Sequence, residues 1–212
     1  MSLYVPAHFR IDDPETLFGF ISDNAFGTLV TSGPKGLHVS HIPFVPERGD
    51  DGKLRLLGHV ARANPQADAL EGATDLVAIF QGPHAYVSPT WYEHHPAVPT
   101  WNYAVAHVRG RITPLDEFEL RDLLGRLSAI YEGDRPEAWR IDRQPAPFIE
   151  GLVGVIRGFA IEVERVEGKF KLSQNRPGND AKRVADALEA RGDRELAALM
   201  REHPPVRQEV KS

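Results

Sequence analysis

The sequence predicts a mainly β fold: an antiparallel barrel, closed or partly closed, with peripheral helices and a helical segment at its C-terminal end. Three observations predict it. Segments rich in aromatic and β-branched residues recur along the chain, separated by Gly, Pro and Asp turns. Strand and helix do not alternate regularly. No glycine-rich phosphate loop opens a helix, which speaks against a dinucleotide-binding parallel sheet.

The elements follow in order. Met1–Phe9 is short, apolar and aromatic, and is expected to dock on the body. Asp13-Pro14 reads as N-cap and first helical residue of a helix ending near Asn24, with Leu17, Phe18, Phe20 and Ile21 at helical spacing. Phe26–Ser32 and Leu37–Pro46 read as strands of a hairpin, joined by a four-residue connection, Gly33–Gly36. Lys53–Val60 is a third strand, and Gly58 within it signals a bulge or close backbone approach. Asn64-Pro65 starts a short helix reaching about Glu71. Thr74–Gln81 is a nearly continuous apolar strand, and Gly82-Pro83 is expected to turn the chain. Trp101–Ile112 alternates as a long strand, and Asp116–Ile130 is an amphipathic helix. Glu132–Pro147 is irregular, followed by a short helix over Pro147–Leu152. Val153–Val166 is a strand, Glu167-Gly168 its turn and Lys169–Ser173 the return. Asp180–Arg191 and Asp193–His203 are two helices hinged at Gly192, packed through Val184, Leu188, Leu196 and Leu199, and the final residues are expected to be loose. The domain boundary is placed at 176/177, with a barrel over 1–176 and a helical extension over 177–212.

Composition narrows the chemistry. A chain of 212 residues buries about seven-tenths of its unfolded surface and needs no covalent staples. The absence of cysteine removes disulfides, thiolate metal sites, iron–sulfur ligation and a cysteine nucleophile. No signal-peptide pattern and no apolar run of membrane-span length appears, so the expectation is a cytoplasmic protein. A net charge of −5 argues against a protein that coats nucleic acid.

The densest functional signal is His84–Gly110, HAYVSPTWYEHHPAVPTWNYAVAHVRG, with two Pro-Thr-Trp units at Pro89–Trp91 and Pro99–Trp101. Flat aromatics interleaved with hydroxyls, amides and histidines suit a planar ligand with polar edges, or a subunit interface; the alternative is a core strand with two buried tryptophans. His59-Val60-Ala61-Arg62-Ala63-Asn64 is an anion candidate: Arg62 offers a planar fork, the helix start at Asn64 adds N–H groups, and His59 can donate. The alternative there is an exposed arginine beside a simple N-cap. In Gly168–Arg176, Lys169 and Lys171 share a face, and Ser173, Gln174, Asn175 and Arg176 extend a donor-rich surface without acids. An anionic ligand or a partner's acidic edge fits it; an ordinary solvent-facing arm is the alternative.

Other chemistries are weakly signalled. No metal motif appears, although His38, His41, His59 and His107 could converge in a barrel. No Gly-x-Ser-x-Gly elbow exists. The tail invites a helix-turn-helix reading, but Arg176–Ser212 carries eight basic against seven acidic residues, a net of +1, and a helical cap is the expected role.

The motifs together resemble the PaiB-type proteins, described as FMN-binding negative transcriptional regulators. The resemblance runs almost end to end. It rests on Tyr4–Phe9, Phe26–Thr31, His41-Ile42-Pro43, Gly58–Pro65, Phe80–Pro89, Val98–Tyr103 and Gly168–Arg176. It implies an FMN-binding split β-barrel related to pyridoxamine-phosphate oxidases and flavin reductases. It also implies a homodimer with the flavin groove at the subunit interface. By resemblance, His59, Arg62 and Asn64 lie near the FMN phosphate, Trp91, Thr100, Trp101 and Asn102 line the groove, and Lys171, Ser173 and Gln174 contribute from the late strand. One departure stands out. The link Glu93–Ala97 is shorter than in the family, and two histidines stand where a lysine is usual. The resemblance makes promoter DNA the partner and negative regulation the function. The alternatives are an FMN-dependent oxidoreductase or flavin reductase, with His84, Tyr86 or His107 handling protons, and a haem-handling relative with a histidine ligand.

Overall fold

Strands and helices follow one another as β1 (Arg10–Ile11), α1 (Pro14–Asp23), β2 (Phe26–Gly33), β3 (Gly36–Pro43), β4 (Val45–Arg48), β5 (Leu54–Ala61), α2 (Pro65–Ala69), β6 (Asp75–Val87), β7 (Thr100–Pro114), α3 (Glu117–Glu132), α4 (Ala146–Gly154), β8 (Ile156–Lys171), α5 (Gly178–Arg191) and α6 (Arg194–Glu202). The computed structural model describes residues 3–49 and 51–205; the expectation of loose final residues, at 206–212, lies outside them. The strands form an 8-stranded sheet in the order β3-β2-β6-β7-β8-β5-β4, with β1 paired to β8. The pairings of β1 with β8, β2 with β3 and β6, and β5 with β4 and β8 are antiparallel. The mainly β architecture with peripheral helices is as the sequence predicts.

Contacts gather the chain into two compact units. The first comprises Met1–Leu17, Gln81–Ala106 and Glu167–Ser212; the second comprises Phe18–Phe80 and His107–Val166. Strands β6, β7 and β8 each run from one unit into the other.

In the second unit, Gly33 pairs with Gly36, so only Pro34 and Lys35 form the turn of the β2–β3 hairpin. Gly36 has φ +96°, a left-handed conformation open to glycine. This turn is tighter than the four-residue connection expected. The single strand expected over Leu37–Pro46 is two, β3 and β4. They part at Phe44, whose N–H bonds the Ala25 carbonyl at 2.9 Å. Its ring lies 5.3 Å from Phe80 and 6.3 Å from Phe159, edge-on to both, so core packing overrides strand continuity there. Gly58 answers to close approach, since a Cβ on it would lie 3.0 Å from the Phe159 ring. Helix α3 is fixed by a capping box between Asp116 and Glu119. Its Leu120, Leu123 and Leu127 pack with Ile149 and Val153 of α4 over Val45, Leu57 and Ala160 of the sheet.

In the first unit, two expected turns are absent. Strand β6 continues through Gly82-Pro83, and β8 continues through Glu167-Gly168. Gly168 serves another purpose: a Cβ there would lie 2.5 Å from Leu17 Cδ2 and 3.0 Å from the Ile11 carbonyl, where β1 pairs. The two terminal helices appear as expected. Gly192, at φ +96°, stops α5, with its N–H on the Glu189 carbonyl and that of Asp193 on the Leu188 carbonyl. Val184, Leu188, Leu196 and Met200 are buried beneath them, and Leu199 is half-buried.

Candidate functional site

The aromatic stretch lies in the first unit. Along the end of β6, Ala85 and Val87 are buried while His84 and Tyr86 are exposed, as strand alternation requires. Ser88 then caps a 3-10 turn, Pro89–Trp91, by accepting the Thr90 N–H. Alternation resumes on β7. Trp101 is 54 % exposed, whereas its neighbour Asn102 is 0 % exposed. The Trp101 ring lies 6.1 Å from Tyr86, edge-on, and 6.5 Å from His84, tilted by 34°. The three rings form an open aromatic shelf. Trp91 is half-buried, and Arg191 sits over its ring at 5.5 Å.

Cations beside the shelf come from the end of β8 and the segment that follows it. Lys171 Nζ donates to Thr100 Oγ1 and to the Trp101 carbonyl, both at 2.5 Å. Burial, then the charges of Lys169 and Arg176, push its pKa below the ordinary lysine value. Lys169 is buried with its ammonium over Tyr4 at 5.3 Å and Tyr103 at 5.4 Å. Arg176 lies over Tyr92 at 4.3 Å.

Thus Thr100, Trp101 and Lys171 are gathered at one place. Asn102 and Ser173 form a buried pair: Asn102 Nδ2 donates to Ser173 Oγ at 2.9 Å, and Ser173 Oγ donates back to Asn102 Oδ1 at 3.3 Å. Ser173, two residues past the end of β8, lies in the left-handed region, at φ +67°. Gln174 folds onto its own turn, accepting from Leu172 N at 2.7 Å and donating to the Phe170 carbonyl at 2.6 Å.

His59, Arg62 and Asn64 lie in the second unit. His59 is half-buried, its Nδ1 has no hydrogen-bond partner among the described residues, and burial pushes its pKa down. Arg62 is exposed, and its backbone N–H bonds the Val155 carbonyl at 2.8 Å. Its side chain lines a cavity of about 470 Å³ with Leu115, Arg121, Glu150, Ile156 and Arg157. Asn64 caps α2 by accepting from Gln66 N at 2.9 Å and donates to Ser40 Oγ at 2.8 Å. Both ends of its amide are therefore engaged.

Several residues near these groups escaped sequence reasoning. Arg157 holds the Ala67 carbonyl at 2.9 Å, and Asp180 holds the Glu93 backbone at 2.7 Å. Their partners lie 90 and 87 residues away in sequence. The acid in the first turn of α5 is the one local signal for Asp180. Among the described residues, no group of three or more His, Asp or Glu side chains is arranged to hold a metal ion.

Comparison with known proteins gives a consistent result. A family model described as "Putative FMN-binding domain" matches residues 3–165. The Bacillus subtilis protein named protease synthase and sporulation protein PAI 2 is 35 % identical over 189 residues, covering 88 % of this chain and 89 % of that one. An uncharacterized protein of Saccharomyces cerevisiae is 38 % identical over 158 residues, covering 64 % of this chain and 94 % of that one. Among solved structures, the FAD and heme binding protein of Mycobacterium smegmatis superposes with a TM-score of 0.58 at 16 % identity, covering 76 % of this chain and 73 % of that one. The flavocytochrome Anf3 of Azotobacter vinelandii gives 0.57 at 17 % identity, covering 79 % and 72 % respectively. At such identities the likeness is one of fold.

Proposed function

Because the chain belongs to the FMN-binding split-barrel family, and a flavin nucleotide is its cofactor, we propose that it is an FMN-dependent oxidoreductase of the flavin reductase type. One observation carries this reading: the exposed Trp101 stands beside Lys171, a lysine with no acidic partner among the described residues. The residues present fit the cofactor. A planar ring system is matched by Trp101 with His84 and Tyr86 at its flanks. Anionic charge is matched by Lys171, whose ammonium is destabilised by burial and by two neighbouring cations. Taken by itself, the second unit offers a separate proposed anion site in Arg62 and in His59 Nδ1, which has no partner among the described residues, with Asn64 holding the start of α2 beside them. Asn102, Ser173 and Gln174 act as supports. Their polar atoms fix the end of β8 and so hold Lys171 and Trp101 in place.

When bound, the flavin supplies the electron-transfer chemistry. The chain's own residues would bind and orient it: Trp101 would offer a stacking face, Trp91 and Thr100 are further residues proposed to hold it, and His84 or Tyr86 would handle protons. The barrel over 1–176 is proposed as the flavin-binding domain of a cytoplasmic homodimer with the flavin groove at the subunit interface. The outer face of the β2–β3 hairpin supports the dimer, with Phe26, Leu37 and Val39 at 69 %, 68 % and 54 % exposure. Among the described residues no helix is long and apolar enough to cross a membrane.

The test is the absorption spectrum of protein purified without added cofactor, followed by a reduced nicotinamide donor under anaerobic conditions. Flavin bands that bleach are expected. Flavin bands untouched by either nicotinamide overturn the reductase reading, and a Soret band would replace it with a haem role. A second reading, promoter binding as a negative regulator, follows from the resemblance to PaiB-type proteins, and the 35 % identical Bacillus subtilis relative is named protease synthase and sporulation protein PAI 2. It requires specific, salt-sensitive binding to a promoter fragment beyond that to control DNA.

A further inference from the structure

The first unit buries one carboxylate that the cofactor chemistry does not call for. Asp180, in the first turn of α5, is 0 % exposed. Its Oδ1 accepts from three donors on one short segment: Glu93 N at 2.7 Å, His94 N at 3.3 Å and His94 Nδ1 at 3.2 Å. Its Oδ2 is buried without a partner among the described residues. A buried anion is retained where its hydrogen bonds outweigh the loss of water. Here those bonds all run to the link between the two Pro-Thr-Trp units.

Neighbouring contacts point the same way. Arg183 Nε donates to the Trp91 carbonyl at 2.9 Å, and Arg191 covers the Trp91 ring. Arg176 covers Tyr92, and Asn179 Nδ2 donates to Glu93 Oε2 at 3.3 Å. Each residue from Trp91 to His94 is thus tied to the segment Arg176–Arg191. That segment follows residue 165, where the family match ends.

We infer that Asp180 is the positioning residue of the Trp91–His94 loop, through which the C-terminal helices set how tightly the chain holds its flavin. The first clause stands on geometry alone, and the second rests on the flavin reading. The arginines of α5 face this loop, so the helix acts as a clasp on it.

The test uses the full chain and Asp180→Asn, which keeps the size but leaves at most one acceptor oxygen and buries an NH₂ where Oδ2 has no partner. Hydrogen exchange at the Glu93 and His94 amides is expected to rise on the order of tenfold, the size of one lost charge-assisted bond, with exchange in Leu76–Phe80 unchanged. The FMN dissociation constant is expected to rise by a similar factor. Unchanged exchange at Glu93 and His94 overturns the positioning role. Faster exchange with unchanged FMN affinity overturns the link to cofactor binding. Wild-type protein that takes up no FMN overturns the flavin reading and leaves the exchange result to decide the first clause. Should Asp180→Asn fail to fold, His94→Ala removes one donor from a half-exposed side chain; exchange at Glu93 must then rise by a smaller factor, and no rise overturns the proposal.

Discussion

Lys171 carries an ammonium that its surroundings push toward neutrality, first by burial and then by Lys169 and Arg176. An anion brought beside it restores the charged form, so binding takes up a proton at alkaline pH. FMN affinity is therefore expected to fall as pH rises through a pKa below the ordinary 10.5, and Lys171→Met should flatten that dependence in a flavin-fluorescence titration. Asp180 titrates at the opposite end. Burial raises its pKa, but the Glu93 and His94 N–H groups and the His94 ring outweigh it, and the net shift is downward from 3.8. The folded state thus binds this proton more weakly than the unfolded chain. The carboxylate adds stability above about pH 4, and the gain is lost as pH falls through the depressed value. Thermal melts of wild type and Asp180→Asn should converge in acid. Removing Asn102 strands the Ser173 hydroxyl in a buried site, and Asn102→Ala should cost about 1–3 kcal/mol in denaturant unfolding. Side by side in sequence, Trp101 and Asn102 both read as groove residues. Strand alternation alone tells them apart, by turning one outward and the other inward. Asp180 was not legible, because its three donors arrive from far along the chain.

At the level of the element, β8 shows why turn signals mislead. Glu167-Gly168 has the composition of a turn, yet the strand runs through it because β1 lies close against Gly168. The residue is selected by a neighbour more than 150 positions away, Ile11, which no local window contains. Gly168→Ala should destabilise the fold by about 1–3 kcal/mol, as overpacking does, with the Leu17 side chain giving way more readily than the Ile11 backbone. The helices were easier to read. Asp13-Pro14, Asn64-Pro65 and Gly192 are local signals, and each marks an observed boundary. Phe44 is the intermediate case: its break between β3 and β4 comes from ring packing against Phe80 and Phe159 rather than from a breaker residue.

For the whole molecule, the fold class was legible because the strands' composition and the lack of strand–helix alternation survive without any knowledge of pairing. The division into two units was not, since it depends on which distant segments meet. The proposed dimer belongs to this scale. Leu37→Lys with Val39→Lys places two charges on the exposed face of β3 and should yield a monomer by light scattering, with reduced flavin content. A dimer of unchanged mass would remove that face from the interface. Three segments make up the first unit, and they are translated at opposite ends and in the middle of the chain. A ribosome adding roughly 5–20 residues per second therefore releases the shelf of His84, Tyr86 and Trp101 well before Lys171 and the α5 clasp. The aromatic wall must wait for the end of translation to be completed. A nascent chain stalled near residue 165, where the family match stops, has every ring of that shelf and none of the cations that flank it.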